Sequence, residues 1–211
     1  MLIIFDLDDT LIDTSLSITP FVLKNIFYKM KEKGLKVKER DLKILLDIDK
    51  KSISSKESLK KFLKKLNQIK FLNFAEKELE NFDLEMEVLP RKGALNLLKE
   101  LKSFCKIALV TIGNEKIQRK KMEKSGIDNS FFCFIDIIKN NKIFSYLKIK
   151  KKYKEEIWVC GDRIDIDLKP AKLLNFKTIH MKYGRGKFYK KEKFFDYQIK
   201  ELEDIKKILS L

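Results

Sequence analysis

Hydrophobic positions fall into two textures along the chain. Residues 2–7 open with four consecutive apolar residues, Leu2 to Phe5, and read as a fully buried strand. From about residue 15 to 87 the apolar positions recur at helical spacing instead. LSITPFVLKNIFYKMKEKG, DLKILLDI, SLKKFLKKLNQIKFL and FAEKELENF each predict a helix, with almost no Gly or Pro and no convincing strand between them. The texture changes at Val88. PRKGALNLLKELKSF predicts a helix, CKIALVT a strand, IGNEKIQRKKMEKSGI a loop and a helix ending at Gly126, and FFCFIDII a third strand. NKIFSYLKIKKKYK predicts a helix, EEIWVCGD a fourth strand, LKPAKLLNF a helix and KTIHM a fifth strand; FDYQI predicts a sixth, and IKELEDIKKILSL a closing helix. Strands alternating with helices of this length predict an α/β fold, a Rossmann-like parallel sheet with helices on both faces. The helical block is then an insertion after the first strand. The expected domains are an α/β core of residues 1–14 and 88–211, and a small α-helical domain of residues 15–87.

Composition narrows the function classes. With 211 residues and 44% hydrophobic content, the chain can bury a real core. No apolar run is long enough to span a bilayer, and the N-terminus lacks the pattern of a signal peptide, so a cytoplasmic location without membrane attachment is expected. Cys105, Cys133 and Cys160 are odd in number and far apart, matching neither a disulfide framework nor a zinc site; three buried free thiols are expected. The single histidine, His180, lies in the apolar stretch KTIHM, which argues against a His-dependent triad. The net charge is +16 with a pI near 9.6. Such charge can attract nucleic acid or small anions. The lysines alternate with Glu and apolar residues along helices, as in ESLKKFLKKLNQIK, rather than forming one basic block. No aromatic platform for stacked bases accompanies them, which argues against a nucleic-acid partner.

The candidate chemistry sits at the strand ends. The first strand runs straight into Asp6, Asp8, Asp9 and Asp13, and buried charge is costly unless something compensates it. In open parallel sheets, ligands bind at the carboxyl ends of the strands, near the switch in strand order. The first strand ends in DLDDT, the second in Thr111-Ile112-Gly113-Asn114, and the fourth in Gly161-Asp162 with Asp165 and Asp167 close behind; Lys139 and Lys142 follow the third. One carboxylate as nucleophile and a second as proton donor and acceptor can move a phosphoryl group through a covalent aspartyl phosphate. A hard dication such as Mg²⁺ would compensate the clustered acids.

DLDDT, IALVTIGN, a lysine and VCGDRIDIDLKPAK, in that order, resemble the four motifs of the haloacid dehalogenase-like (HAD) superfamily. The resemblance covers essentially the whole chain and implies an HAD-like core with a helical cap inserted after the first motif. It implies Asp6 as nucleophile, Asp8 as general acid/base, and Mg²⁺ held by Asp6, the Asp8 carbonyl, Asp162 and Asp167, with Asp165 as competitor for the last place. Thr111 and the amides of Ile112 and Gly113 would bind the phosphoryl oxygens. Lys139 has the better spacing for the site lysine, and Lys142 is the alternative. Asp8 favours phosphoryl transfer over dehalogenation. The expected function is a Mg²⁺-dependent phosphatase acting on a small phosphorylated metabolite, such as phosphoglycolate; the alternatives are a phosphomutase of the same superfamily or a basic RNA-binding protein on this fold. Oligomeric state is not legible in the sequence.

Overall fold

The computed structural model describes residues 1–188 and 194–211. Within them the chain forms two compact units, Met1–Asp13 with Met86–Leu211, and Thr14–Glu85. These boundaries lie one and two residues from those expected.

In chain order, the first unit begins with β1 (Leu2–Phe5) and leaves at Asp13. The second unit opens with a single π-type turn, Thr14–Ile18, and continues through α1 (Thr19–Glu32), α2 (Glu39–Lys50), α3 (Ser55–Lys65) and α4 (Leu72–Glu80). The apolar faces of these helices meet in a core that includes Leu23, Phe27, Met30, Leu45, Phe62 and Leu63. Phe27 and Phe62 lie with ring centroids 6.1 Å apart. Ser54 caps α3 by accepting the Glu57 N–H, which satisfies one of the open donors of the first turn. Asp49 is buried in this unit because the Ser58 hydroxyl donates to its carboxylate at 2.7 Å.

The chain then returns to the first unit. Pro90 bridges back to Ile12, and the Arg91 N–H donates to the Leu11 carbonyl. The helix expected from Pro90 starts later, as α5 (Ala94–Leu101), because Gly93 adopts a left-handed φ of +80° that interrupts it. There follow β2 (Lys106–Ile112), α6 (Glu115–Lys124), β3 (Phe134–Ile138), α7 (Ile143–Lys152), β4 (Ile157–Gly161), α8 (Lys169–Leu173), β5 (Lys177–Met181), β6 (Tyr197–Ile199) and α9 (Asp204–Leu209). All neighbouring strands are parallel, in the order β3-β2-β1-β4-β5-β6. This is the doubly wound sheet the alternation predicts. Leu2, Ile4, Ala108, Val110 and Val159 share one core cluster with Tyr146 and Ile149 of α7 and Ala171 of α8. The alternate residues Ile3, Phe5, Ile107 and Leu109 are equally buried on the other face.

One expectation about the thiols fails. Cys160 is buried in β4, but Cys105 is half-buried and Cys133 exposed. Cys133 leads into the edge strand β3, whose outer side has no neighbouring strand among the described residues.

Candidate active site

β1 is flanked by β2 on one side and β4 on the other, so the direction of winding reverses beside it. That switch opens a crevice at the carboxyl end of β1. Asp6 stands at this point, its N–H bonded to the Cys160 carbonyl of β4 at 3.0 Å. Asp6, Asp162 and Asp167 are all buried, and each offers a carboxylate oxygen within 4.8 Å of the others.

Asp167 reaches the cluster through a π-type turn at Ile164–Leu168, an uncommon local geometry that recurs at functional sites. The Arg163 N–H donates to Asp167 Oδ2 at 2.9 Å. Gly161 makes room for this carboxylate: a Cβ there would stand 2.5 Å from Asp167 Oδ2. Asp165, the competitor for the role, is exposed and paired with Lys169. At the next strand end, His180 Nε2 donates to the Asp162 carbonyl at 3.1 Å, and the Gln198 amide donates to His180 Nδ1 at 3.0 Å. The lone histidine is therefore a buried support behind Asp162.

The structure places the two candidate lysines differently. Lys139 is exposed, because the chain leaves the edge strand β3 at Ile138. A turn through Asn140 and Asn141, each accepting a following backbone N–H, carries the chain back to the start of α7. Lys142 stands there, 1% exposed, with Nζ 2.6 Å from Asp6 Oδ1 and 2.6 Å from Asp167 Oδ1. The Lys142 ammonium thus pairs with both carboxylates, and its contact with Asp6 is a hydrogen bond.

Electrostatics favour a further cation. Burial pushes the Asp6 carboxyl up to about 7; Lys142 opposes the rise, while Asp167 and Asp8 add to it. Burial also raises Asp162 well above the usual carboxylate range, with Asp9, Asp167 and Asp6 contributing. Burial works against the charge of Lys142, yet Asp167 and Asp6 outweigh it and hold the ammonium protonated. Two of the three buried acids, Asp6 and Asp167, thus pair with the one ammonium of Lys142. Hard oxygen donors and excess negative charge fit a small dication such as Mg²⁺.

Asp8, two residues beyond Asp6, has a different environment. Lys121 Nζ lies 2.6 Å from its Oδ1, and the Gln118 amide donates to its Oδ2 at 2.7 Å. The same amide nitrogen donates to Thr111 Oγ1 at 2.7 Å. Thr111 is fully buried at the end of β2, as its place in the motif requires. Gly113 does not present the expected free amide, because its N–H donates to the Ile138 carbonyl at 2.9 Å. Amides alternate in direction along a parallel strand, so the Ile112 N–H turns to the opposite side, toward β1. Asp9 is buried with a left-handed φ of +58°, and Arg91, stacked 3.6 Å over Tyr183, donates to its carbonyl. The Thr10 N–H closes the turn on Leu7, but its hydroxyl, expected to bond locally, is buried without a hydrogen-bond partner among the described residues.

Gln118 and Lys121 touch the candidate site residues Asp8 and Thr111, and the sequence reading missed both. A signal existed. Helix α6 must cover the sheet, yet EKIQRKKMEK offers only Ile117 and Met122 as apolar residues. Gln118 and Lys121 complete that stripe at helical spacing, so their polar ends had to be buried against partners.

A haloacid dehalogenase-like hydrolase model matches residues 1–175. The chain belongs to that family. A relative described as glyceraldehyde 3-phosphate phosphatase, from Methanocaldococcus jannaschii, is 28% identical, covering 96% of this chain and 94% of its own. Among solved structures, magnesium-bound YfnB of Bacillus subtilis superposes with a TM-score of 0.70 at 16% identity, covering 100% of this chain and 98% of its own. A HAD-superfamily hydrolase from Ehrlichia chaffeensis gives 0.61 at 21% identity, covering 99% and 95%. These two likenesses bear on the fold, which they share with this HAD hydrolase. Among the described residues no helix is long and apolar enough to cross a membrane.

Proposed function

We propose that this HAD hydrolase is a Mg²⁺-dependent phosphatase of small phosphorylated metabolites. The observation that carries the reading is the convergence of Asp6, Asp162, Asp167 and Lys142 at the sheet's switch point. Asp6, Asp162 and Asp167, with the Asp8 carbonyl by family resemblance, would hold the ion. When bound, the ion supplies positive charge that keeps the carboxylates ionised and stabilises the phosphoryl oxygens.

An Asp6 oxygen attacks phosphorus, forming an aspartyl O–P bond as the ester P–O bond breaks. In its protonated form, Asp8 gives its proton to the departing alkoxide. It then takes a proton from water, whose oxygen displaces Asp6 and releases inorganic phosphate. Lys142 holds Asp6 in place and offsets charge on the phosphoryl group. The Thr111 hydroxyl and the Ile112 N–H donate to the phosphoryl oxygens. The relative that acts on glyceraldehyde 3-phosphate favours a short phosphorylated carbon chain as substrate, and phosphoglycolate is of the same kind. By the same resemblance the helical unit is the cap domain and governs substrate choice.

Phosphate release from p-nitrophenyl phosphate and from a panel of three-carbon and two-carbon phosphates tests the reading. Turnover is expected with Mg²⁺, to vanish in EDTA, and to vanish in Asp6→Asn. Full activity in chelator, or in Asp6→Asn, removes the metal role or the nucleophile respectively.

A further inference from the structure

Gln118 holds two site side chains with one nitrogen, which also reaches the Ile112 carbonyl at 3.4 Å. Its Nε2 lies 2.7 Å from Asp8 Oδ2 and 2.7 Å from Thr111 Oγ1. The Asp8 carboxylate fixes which way the amide faces, since the opposite orientation would set the amide oxygen against it. An amide nitrogen only donates. Thr111 Oγ1 is therefore the acceptor in its bond to Gln118, and the hydroxyl's own proton is left to be donated elsewhere. Thr111 is fully buried at the end of β2, beside the crevice where the phosphoryl oxygens are expected.

We propose that Gln118 is a positioning residue of the active site, which makes the Thr111 hydroxyl an obligate donor to the phosphoryl group while steadying Asp8. This rests on the phosphatase reading above. Two further observations make the arrangement a built one. Gln118 is 1% exposed, on the buried face of α6. Gly113, in the strand-end motif, is the residue that admits it: a Cβ at 113 would stand 2.9 Å from Gln118 Cδ and Cγ. Since the Gly113 N–H is committed to β3, accommodating Gln118 is what this glycine does for the site. Lys121, one turn further along α6, takes the other Asp8 oxygen at 2.6 Å. The face of α6 thus links the phosphoryl donor to the proton carrier.

The test uses orthovanadate, a phosphoryl mimic whose binding needs no turnover, titrated in Mg²⁺ against the wild type, Gln118→Met, Thr111→Val and the double variant. A donated hydrogen bond to a charged oxygen corresponds to about tenfold in affinity. Gln118→Met is expected to weaken vanadate by roughly that factor alone, and by less than about twofold in the Thr111→Val background, because only Thr111 conveys the effect. In Thr111→Ser, which keeps the hydroxyl, the full loss from Gln118→Met should return. Wild-type affinity in Gln118→Met, or losses that multiply in the double variant, overturns the proposal. Gln118→Leu provides the same comparison if the Met variant does not fold. Failure of the wild type itself to bind vanadate or release phosphate would instead bring down the phosphatase reading, and the proposal with it.

Discussion

Removing the ammonium of Lys142 leaves Asp6, Asp162 and Asp167 buried together without the cation that now bridges two of them. Breaking a buried ion pair by deleting one partner typically costs about 3 kcal/mol or more. Lys142→Met is therefore expected to lower stability on that order in urea unfolding at pH 7. It should also lower kcat/KM for p-nitrophenyl phosphate by about two orders of magnitude or more, since the charge it offsets grows as phosphorus is attacked. Lys139→Met, at an exposed position, should stay within roughly twofold in both measurements, as surface substitutions do. The reverse ranking would return the site to Lys139. The sequence could not choose between the two lysines. Each lies a plausible distance from the next strand, and what separates them is a turn whose Asn140 and Asn141 side chains cap following amides. The family resemblance favoured Asp167 over Asp165, and it is Asp167 that the π-type turn brings beside Asp6 and Asp162. Gln118 and Lys121 were hidden by their helix: a Lys-rich segment reads as a solvated face until the carboxylate beneath it is known.

Elements meet in this site with very little slack, and Gly161 shows how little. It closes β4, and Asp167, six residues later, folds back over it so closely that a methyl group would overlap Asp167 Cβ and Oδ2 at 2.6 and 2.5 Å. Gly161→Ala must therefore displace the turn of Ile164–Leu168 or the end of β4. Overpacking of this kind costs about 1–3 kcal/mol. The variant should also bind Mn²⁺, used as a spectroscopic stand-in for Mg²⁺, at least about tenfold more weakly, a figure set by what displaced supporting geometry does to metal sites. An unchanged Mn²⁺ affinity would mean that Asp167 contributes nothing to the ion. The sheet that frames this contact was readable from the chain, because its central strands carry the apolar runs LIIF, IALV and IWVC. The start of α5 was not, because Pro90 is as good a first helical residue as any; only the left-handed Gly93 shows that the chain turns once more before the helix begins.

Across the whole molecule, the acid cluster couples folding, metal binding and pH. In the metal-free protein, Asp6 titrates near 7, against 3.8 when the chain is unfolded. Between those values the folded state holds a proton that the unfolded state has released, so stability falls as pH rises through the window. Asp162, also raised, acts in the same direction. A dication that requires ionised carboxylates must expel these protons, so its affinity grows as pH rises. The net charge of +16 acts the other way: at low pH, further protonation increases self-repulsion and lowers stability for reasons unrelated to the site. The two effects separate when melting temperatures are compared with and without saturating Mg²⁺ at each pH, because self-repulsion is common to both samples and cancels in the difference. That difference should be small at pH 5, where Asp6 is protonated in the metal-free fold, and should rise steadily to pH 8, where every bound ion finds the carboxylate already ionised. A gain from Mg²⁺ as large at pH 5 as at pH 8 would mean that the ion binds without displacing protons from Asp6 and Asp162, and so binds somewhere other than the end of β1.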